Sequence, residues 1–199
     1  MGLANKLTLL RIILAPVFYI VFMYLLRTLH FVWAIPLLWF IFIASQITDL
    51  LDGMAARKYN ETSDFGKLFD PFADTLMQLT CFLCFVLENI FPPFFFLLVI
   101  YREFSILFLR NAMLKKGITM GARLSGKLKT VTYIIAGGIA LAAASLKLLA
   151  TSVERLPVFA ILYPYFRFSA VIIFIVSVII SVISFFDYLS VYRRADREI

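Results

Sequence analysis

Long apolar runs separated by short polar segments form the dominant pattern of this chain. Six such runs occur, at 9–28, 31–48, 68–89, 91–109, 131–150 and 158–186. A transmembrane helix needs about 20 mostly apolar residues, so the pattern predicts six membrane-spanning helices. The second run continues past Ser45 into an acidic segment, and the third contains Asp70 and Asp74 near its start. The ends of these two helices therefore require a hydrated or metal-filled cavity rather than lipid.

The composition supports an all-α integral membrane protein. Hydrophobic residues make up 63% of the chain and charged residues only 16%, with 22 Phe, whereas a soluble domain carries about 25% charged residues. No repeat, linker or low-complexity segment divides the sequence, so we expect one membrane domain over residues 1–199. The first run is long and contains Arg11 and Pro16, which favours a retained span over a cleaved signal peptide.

The basic residues are distributed unevenly between the two ends of the predicted helices. One set lies in the terminal segments and the alternate loops or helix ends next to them: Lys6, Arg57, Lys58, Lys67, Lys115, Lys116, Arg123, Lys127, Lys129, Arg193, Arg194 and Arg197. A smaller set lies at the other ends: Arg27, Lys147, Arg155 and Arg167. Because cytoplasmic loops carry an excess of Lys and Arg, we expect both termini and the acidic segment to lie in the cytoplasm.

Four carboxylates are concentrated between residues 49 and 74, in a chain with few charges. Asp49 and Asp52 are three residues apart, and Asp70 and Asp74 are four apart, so each pair shares one face of a helix. Carboxylates held this close repel each other unless cations are bound. Hard divalent ions such as Mg²⁺ take oxygen ligands and keep positions open for phosphate oxygens. The acidic segment therefore predicts a divalent metal site.

The same segment resembles the signature of the CDP-alcohol phosphotransferase family. The signature is D-x2-D-G-x2-A-R-x8-G-x3-D-x3-D, and this chain fills all its fixed positions with Asp49, Asp52, Gly53, Ala56, Arg57, Gly66, Asp70 and Asp74. The resemblance implies a cytoplasm-facing polar active-site cavity at the ends of two transmembrane helices. It also implies a CDP-linked donor, two metal ions and release of CMP.

The resemblance assigns a role to each residue of the signature. Two Mg²⁺ ions, or Mn²⁺, would be held by Asp49, Asp52, Asp70 and Asp74, with Asp74 also acting as the catalytic base. The donor would be bound by Asp52, Gly53, Ala56, Arg57 and Gly66. Arg57 offers a planar set of donors for pyrophosphate oxygens, and the two glycines allow nucleotide and backbone to approach closely.

Outside the signature, the chain is similar to one branch of the family, the bacterial phosphatidylglycerophosphate synthases. The shared segments are N-K-L-T-L-L-R-I-I-L-A-P from Asn5, the pair Arg102-Glu103 with Arg110, and Gly126-Lys127-Leu128-Lys129-Thr130. This similarity implies CDP-diacylglycerol as donor, sn-glycerol 3-phosphate as acceptor, a bacterial cell membrane and a homodimer. No nucleic-acid partner is expected.

Arg102 and Arg110 lie within or at the end of an apolar helix, and Lys127 enters the next helix just after Gly126. An unpaired guanidinium there is costly, and a phosphate-bearing acceptor explains Arg110, Lys127 and Arg102. Glu103 could instead pair with a neighbouring cation and make part of this group structural.

Two other functions remain open from the sequence. The same chemistry could use a different acceptor, such as serine, inositol phosphate or a lipid alcohol, because Thr75 follows Asp74 where the branch commonly has Lys. A non-enzymatic transporter or channel with an acidic site is the other alternative. The position of the acids at one end of the helices argues against it.

Overall fold

The computed structural model describes residues 3–59, 64–115, 124–152 and 157–197, and the side chains of 8–48, 69–113, 126–152, 157–190, 192 and 193 within them. These parts of the chain are helical apart from short turns and contain no strand. The helices are α1 (Leu3–Ile20), continued by a π-helical segment (Val21–Thr28), α2 (Ala34–Tyr59), α3 (Asp64–Leu87), α4 (Pro93–Lys115), α5 (Leu124–Ser152) and α6 (Val158–Arg197). The predicted all-α fold is confirmed.

Each predicted apolar run lies mainly within one of these helices, in the same order. Within the described residues, four segments are long and apolar enough to cross a membrane: Thr8–Thr28, Phe69–Leu87, Gly126–Ser152 and Val158–Ser190. The apolar part of α2, Ala34–Thr48, is shorter because the helix continues into the acidic segment. In α4 the charged residues Arg102, Glu103 and Arg110 interrupt the apolar sequence. The six helices fit an integral membrane protein in which two helices carry polar groups.

The end of α3 and the start of α4 follow from local backbone chemistry. Asn89 adopts a positive φ of 60°, and the amide of Ile90 donates to the carbonyl of Phe85 at 2.9 Å. Such a left-handed residue after the last turn is a common way to end a helix. Pro93 begins α4, where the missing N–H of proline costs no helical hydrogen bond.

The helices pack around an aromatic core. α1 packs against α2 and α3, α5 packs against α6, and α4 packs against α3 and α6. Phe82 of α3 meets Tyr133 of α5 with ring centroids 5.3 Å apart and Phe174 of α6 at 5.2 Å, and Phe91 stacks on Phe174 at 3.9 Å. Edge-to-face and offset contacts of this kind add to the stabilisation from burial. The core fixes α3, α5 and α6 relative to one another.

Buried charge also joins the helices at the end of the bundle away from Asp70. Glu88, just after α3, is buried and accepts a hydrogen bond from Lys147 at 2.6 Å, while the Nε of Arg27 lies 3.6 Å from it. Arg167 donates to the backbone carbonyl of Asn89 at 3.1 Å. Glu88 follows Asp70 by 18 positions along α3 and its end, or about 27 Å at 1.5 Å per residue. Three of the four cations predicted to lie opposite the acidic segment are therefore at that far end; Arg155 is outside the described residues.

Candidate functional site

Two side chains of α1 contact the acidic residues of α3. The hydroxyl of Thr8 donates a hydrogen bond to Asp70, and the guanidinium of Arg11 forms an ion pair with Asp74. Because Thr8 and Arg11 are one turn apart on α1, as Asp70 and Asp74 are on α3, the two contacts align along the helix pair. The Arg11 side chain is 2% exposed, whereas that of Asp74 is 43% exposed. The buried guanidinium thus holds a carboxylate that still reaches open space.

The remaining acidic-segment residues are defined only through their backbone. Asp49, Asp52, Gly53, Ala56 and Arg57 belong to the C-terminal part of α2, and Gly66 belongs to the first turns of α3, but their side chains lie outside the described residues. The predicted placement of the two acidic pairs on successive helices is confirmed. Their assembly into one cluster stays a prediction.

A cavity of about 300 Å³ opens beside Asp74. Side chains from all six helices line it, including Arg11 of α1, Gln46 of α2, Asp74 of α3 and Tyr188 of α6. This volume is at the lower end of the range for small-molecule sites, about 300–1,000 Å³. Asp74, Arg102, Arg110 and Lys127, which the sequence assigned to the reaction site, all line this cavity.

The charged lining of the cavity is predominantly basic. Its described cations are Arg11, Arg102, Arg110, Lys127 and Lys129, and its described carboxylates are Asp74 and Glu103. An excess of positive charge in a concave, low-dielectric site attracts anionic ligands. The cavity is therefore suited to phosphate-bearing compounds.

Glu103 pairs with two of these cations. Its carboxylate lies 3.0 Å from Arg102 and 2.7 Å from Lys129, and all three residues are buried. Arg102 also donates to the backbone carbonyl of Ser181 and to the hydroxyl of Ser184, both at 3.2 Å. This charge network joins α4, α5 and α6. Arg102, predicted to bind the acceptor phosphate, is thus already bonded to protein groups.

Arg110 and Lys127 are placed differently. No described carboxylate pairs with either of them. The guanidinium carbon of Arg110 lies 5.8 Å from the centre of the Tyr188 ring, and its buried Nε has no hydrogen-bond partner in the described structure. The side chain of Lys127 is exposed at the cavity. These two cations have donors to offer an anionic ligand.

Sequence reasoning missed several residues of this site. It did not pair Thr8 and Arg11 with the acids, and it gave no role to Tyr133 or Tyr188, which both line the cavity. A guanidinium inside the first apolar run was a usable signal for Arg11, because such a group needs an anionic partner. No comparable signal marks the tyrosines, since aromatic residues are common throughout the chain.

The described residues of the predicted metal site fit a divalent cation. Asp70 and Asp74 offer carboxylate oxygens one helical turn apart, and both are partly exposed, which matches the preference of Mg²⁺ for oxygen ligands. Within the described part of the chain no three metal-binding side chains cluster. The other two predicted ligands, Asp49 and Asp52, fall outside it.

Comparisons with known proteins agree with the motif. The family model described as CDP-alcohol phosphatidyltransferase matches residues 1–183. The chain is 39% identical over 153 residues to the CDP-diacylglycerol–glycerol-3-phosphate 3-phosphatidyltransferase of Treponema pallidum, covering 77% of this chain and 67% of that protein. The protein of the same name from Bacillus subtilis is 33% identical over 147 residues, covering 68% of this chain and 74% of the Bacillus protein. A probable phosphatidylglycerophosphate synthase of Mycobacterium tuberculosis is 34% identical over 138 residues, covering 69% and 65%.

Proposed function

Because this chain belongs to the CDP-alcohol phosphatidyltransferase family, we propose that it transfers the phosphatidyl group of CDP-diacylglycerol to sn-glycerol 3-phosphate. The products are phosphatidylglycerophosphate and CMP. One structural observation supports this acceptor most directly: Asp74 shares a cavity with Arg110 and Lys127, two cations that no described carboxylate neutralises. The names of the similar proteins support the same donor and acceptor.

The donor binds at the acidic segment in this proposal. Asp52, Gly53, Ala56, Arg57 and Gly66 contact the CDP moiety, with Arg57 donating to pyrophosphate oxygens. Two divalent ions, Mg²⁺ or Mn²⁺, held by Asp49, Asp52, Asp70 and Asp74 would neutralise the charge that develops on the pyrophosphate. Thr8 orients Asp70 for this purpose through its hydrogen bond.

Asp74 acts as the general base. It takes the proton of the acceptor hydroxyl as the hydroxyl oxygen forms a bond to the β-phosphorus of CDP-diacylglycerol, and the bond from this phosphorus to the CMP oxygen breaks. Arg11 contributes by holding the Asp74 carboxylate at the cavity wall. An oriented base within hydrogen-bonding reach of the reacting proton is the requirement for general base catalysis.

Arg110 and Lys127 bind the phosphate of the acceptor in this scheme. They lie on α4 and α5, on walls of the same cavity, so a phosphate between them receives charge-assisted hydrogen bonds from two helices. Arg102, which pairs with Glu103, adds to the positive charge of the cavity wall. A serine or free inositol acceptor carries no phosphate for these cations to bind.

Acceptor kinetics of three variants test this site. Arg110→Ala and Lys127→Ala should each raise the KM for glycerol 3-phosphate about 10- to 100-fold, as expected for one charge-assisted contact. The KM for CDP-diacylglycerol should change little. Thr130→Ala, also on the cavity wall, serves as a matched control and should leave both constants near wild type. An unchanged acceptor KM in both cation variants would refute the phosphate site.

The orientation and assembly of the protein are part of the same proposal. The basic residues near the acidic segment support a bacterial cell membrane protein with its termini and active site in the cytoplasm, where nucleotide-activated donors are made. A homodimer is the assembly that the family resemblance suggests. Cross-linking of the protein in native membranes, followed by mass measurement, tests the dimer.

A further inference from the structure

The C-terminal part of α6 forms one wall of the cavity through Tyr188. This helix runs from Val158 to Arg197, and its apolar segment of 33 residues exceeds the roughly 20 needed to cross a bilayer. The extra length brings Tyr188 against Ile106 and Leu109 of α4, in a small cluster separate from the main core. Tyr188 is 3% exposed, so its ring has a fixed position.

The Tyr188 ring meets the guanidinium of Arg110. The distance of 5.8 Å from guanidinium carbon to ring centre lies within the limit of about 6 Å for a cation–π contact. No described carboxylate pairs with Arg110, and its buried Nε has no hydrogen-bond partner in the described residues. Arg102, on the same helix, is instead held by Glu103 and Ser184. The two arginines are therefore fixed by different means, and the ring leaves the hydrogen-bond donors of Arg110 available.

Gly126 provides the room that Tyr188 needs on its other side. A Cβ atom at position 126 would lie 3.3 Å from the Tyr188 hydroxyl oxygen, and 3.8 Å from the nearest ring carbon. The first distance is tighter than an ordinary van der Waals contact and the second is not. A side chain at this position of α5 would therefore push on the hydroxyl of Tyr188 and, through the ring, on Arg110.

From these contacts we infer that Tyr188 is a positioning residue that holds Arg110 toward the acceptor phosphate, with Gly126 kept small to admit it. The inference rests on the proposed function, because Arg110 is taken as the phosphate ligand. A ring holds a guanidinium in place without using its N–H groups, whereas a carboxylate would compete with the phosphate for them. Acceptor affinity is thus set partly by a residue that does not touch the acceptor.

Steady-state kinetics of Tyr188 variants in the full-length protein provide the test. Tyr188→Leu should raise the KM for glycerol 3-phosphate about 3- to 30-fold, the range expected for losing a cation–π contact. The kcat and the KM for CDP-diacylglycerol should stay near wild type. Tyr188→Phe keeps the ring and should behave like wild type. Leu189→Ala, in the same small cluster, controls for a general loss of packing and should not raise the acceptor KM.

A second pair of variants keeps the inference testable if Tyr188→Leu does not fold. Gly126→Ala should raise the acceptor KM, and adding Tyr188→Phe should restore it, because the hydroxyl that meets the new methyl group is gone. A loss caused only by altered packing of α5 would not be rescued in this way. Failure of Tyr188→Phe to rescue a raised KM would overturn the inference.

The Arg110→Ala background separates this inference from the proposed function. If Tyr188 acts through Arg110, Tyr188→Leu should raise the acceptor KM no further once Arg110 is removed. A raised KM in Arg110→Ala together with a wild-type KM in Tyr188→Leu would overturn the positioning role and leave the acceptor site intact. A wild-type KM in Arg110→Ala would overturn the positioning role, and a wild-type KM in Lys127→Ala as well would refute the acceptor site.

Discussion

At the scale of single residues, the ion pair of Arg11 with Asp74 orients the carboxylate that we propose as the base. The Arg11 side chain is 2% exposed, and a charge buried so deeply in an apolar bundle is costly unless an opposite charge meets it. Asp74 meets it from α3. The carboxylate thereby gains a fixed orientation at the cavity, and Arg11 becomes more than a packing residue.

Removing the Arg11 guanidinium should slow the reaction more than it weakens binding. Arg11→Met leaves Asp74 without its buried partner, and a misplacement of a reacting group by about 1 Å can cost on the order of 100-fold in rate. We expect a fall in kcat of about 10- to 100-fold, with partial recovery in Arg11→Lys. CMP release under saturating substrates measures this effect. Thr8→Val serves as the comparison, because it removes a hydrogen bond to Asp70 and leaves the Asp74 pair in place.

Asp74 is proposed both as the general base and as a metal ligand, and an experiment can separate the two roles. If Asp74 mainly accepts the proton, Asp74→Asn should keep CDP-diacylglycerol binding and lose about 100-fold or more in turnover, as removal of a general base typically does. Binding of a labelled donor to purified protein, measured beside CMP release, distinguishes the two roles. Donor affinity that falls in proportion to the rate would make Asp74 chiefly a metal ligand.

At the scale of helices, the Arg102–Glu103–Lys129 network holds α4 to α5 and α6. Both ion pairs are short and buried. A buried charge network contributes little net stability over an apolar core, but removing one member leaves the others unpaired. The cavity wall thus depends on Glu103 for its shape as well as its charge.

Substituting Glu103 should destabilise the bundle. Glu103→Leu leaves the buried cations Arg102 and Lys129 without their carboxylate partner. Breaking a buried pair costs about 3–5 kcal/mol, which should appear as a lower Tm in detergent. Ser184→Ala removes only one hydrogen bond from Arg102 and should cost about 1 kcal/mol. Equal Tm values for the two variants would show that Glu103 does not anchor these helices.

The activity of the site on the two acid-bearing helices, α2 and α3, should depend on divalent metal. Chelation with EDTA should abolish CMP release, and added Mg²⁺ should restore it, because four carboxylates at their predicted spacing need cations to offset their repulsion. Asp49→Asn, Asp52→Asn and Asp70→Asn should each reduce the rate by orders of magnitude in folded protein. Full turnover in EDTA would refute the metal site.

At the scale of the whole molecule, the two ends of the bundle carry different groups of charged residues. The cavity with its excess of cations lies at the Asp70 end, and the buried Glu88 cluster lies at the other. The proposed orientation puts the cavity in the cytoplasm. Exposed residues at each end, Ser190 of α6 and Thr151 of α5, give places to test it.

Labelling of intact bacterial cells with a membrane-impermeant thiol reagent tests the orientation. Thr151→Cys should react from outside the cell, and Ser190→Cys should react only after the membrane is permeabilised. The native Cys81 and Cys84 are buried, and the wild-type protein measures their background. The reverse pattern would place the site outside the cytoplasm.

The parts of the structure that the sequence predicts are those with a local signal. Apolar runs are continuous in the chain, so the helices follow from them, and the acid spacing marks α2 and α3 directly. The contact of Arg11 with Asp74 joins residues 63 positions apart, and its geometry depends on how α1 packs against α3. Tyr188 reaches Arg110 only because α6 extends past the membrane-spanning length. Pairings of this kind arise from tertiary packing and leave no periodic trace in the sequence.

The transfer to glycerol 3-phosphate is tested most directly by offering the purified protein a panel of acceptors. The protein is incubated with CDP-diacylglycerol, Mg²⁺ and labelled glycerol 3-phosphate, serine, inositol phosphate or free inositol, and CMP and the lipid product are quantified together. We expect equimolar CMP and phosphatidylglycerophosphate with glycerol 3-phosphate, and far slower CMP release with the other acceptors. Preferential use of serine or free inositol would contradict the acceptor assignment, and absence of CMP release with every acceptor would contradict the transferase itself.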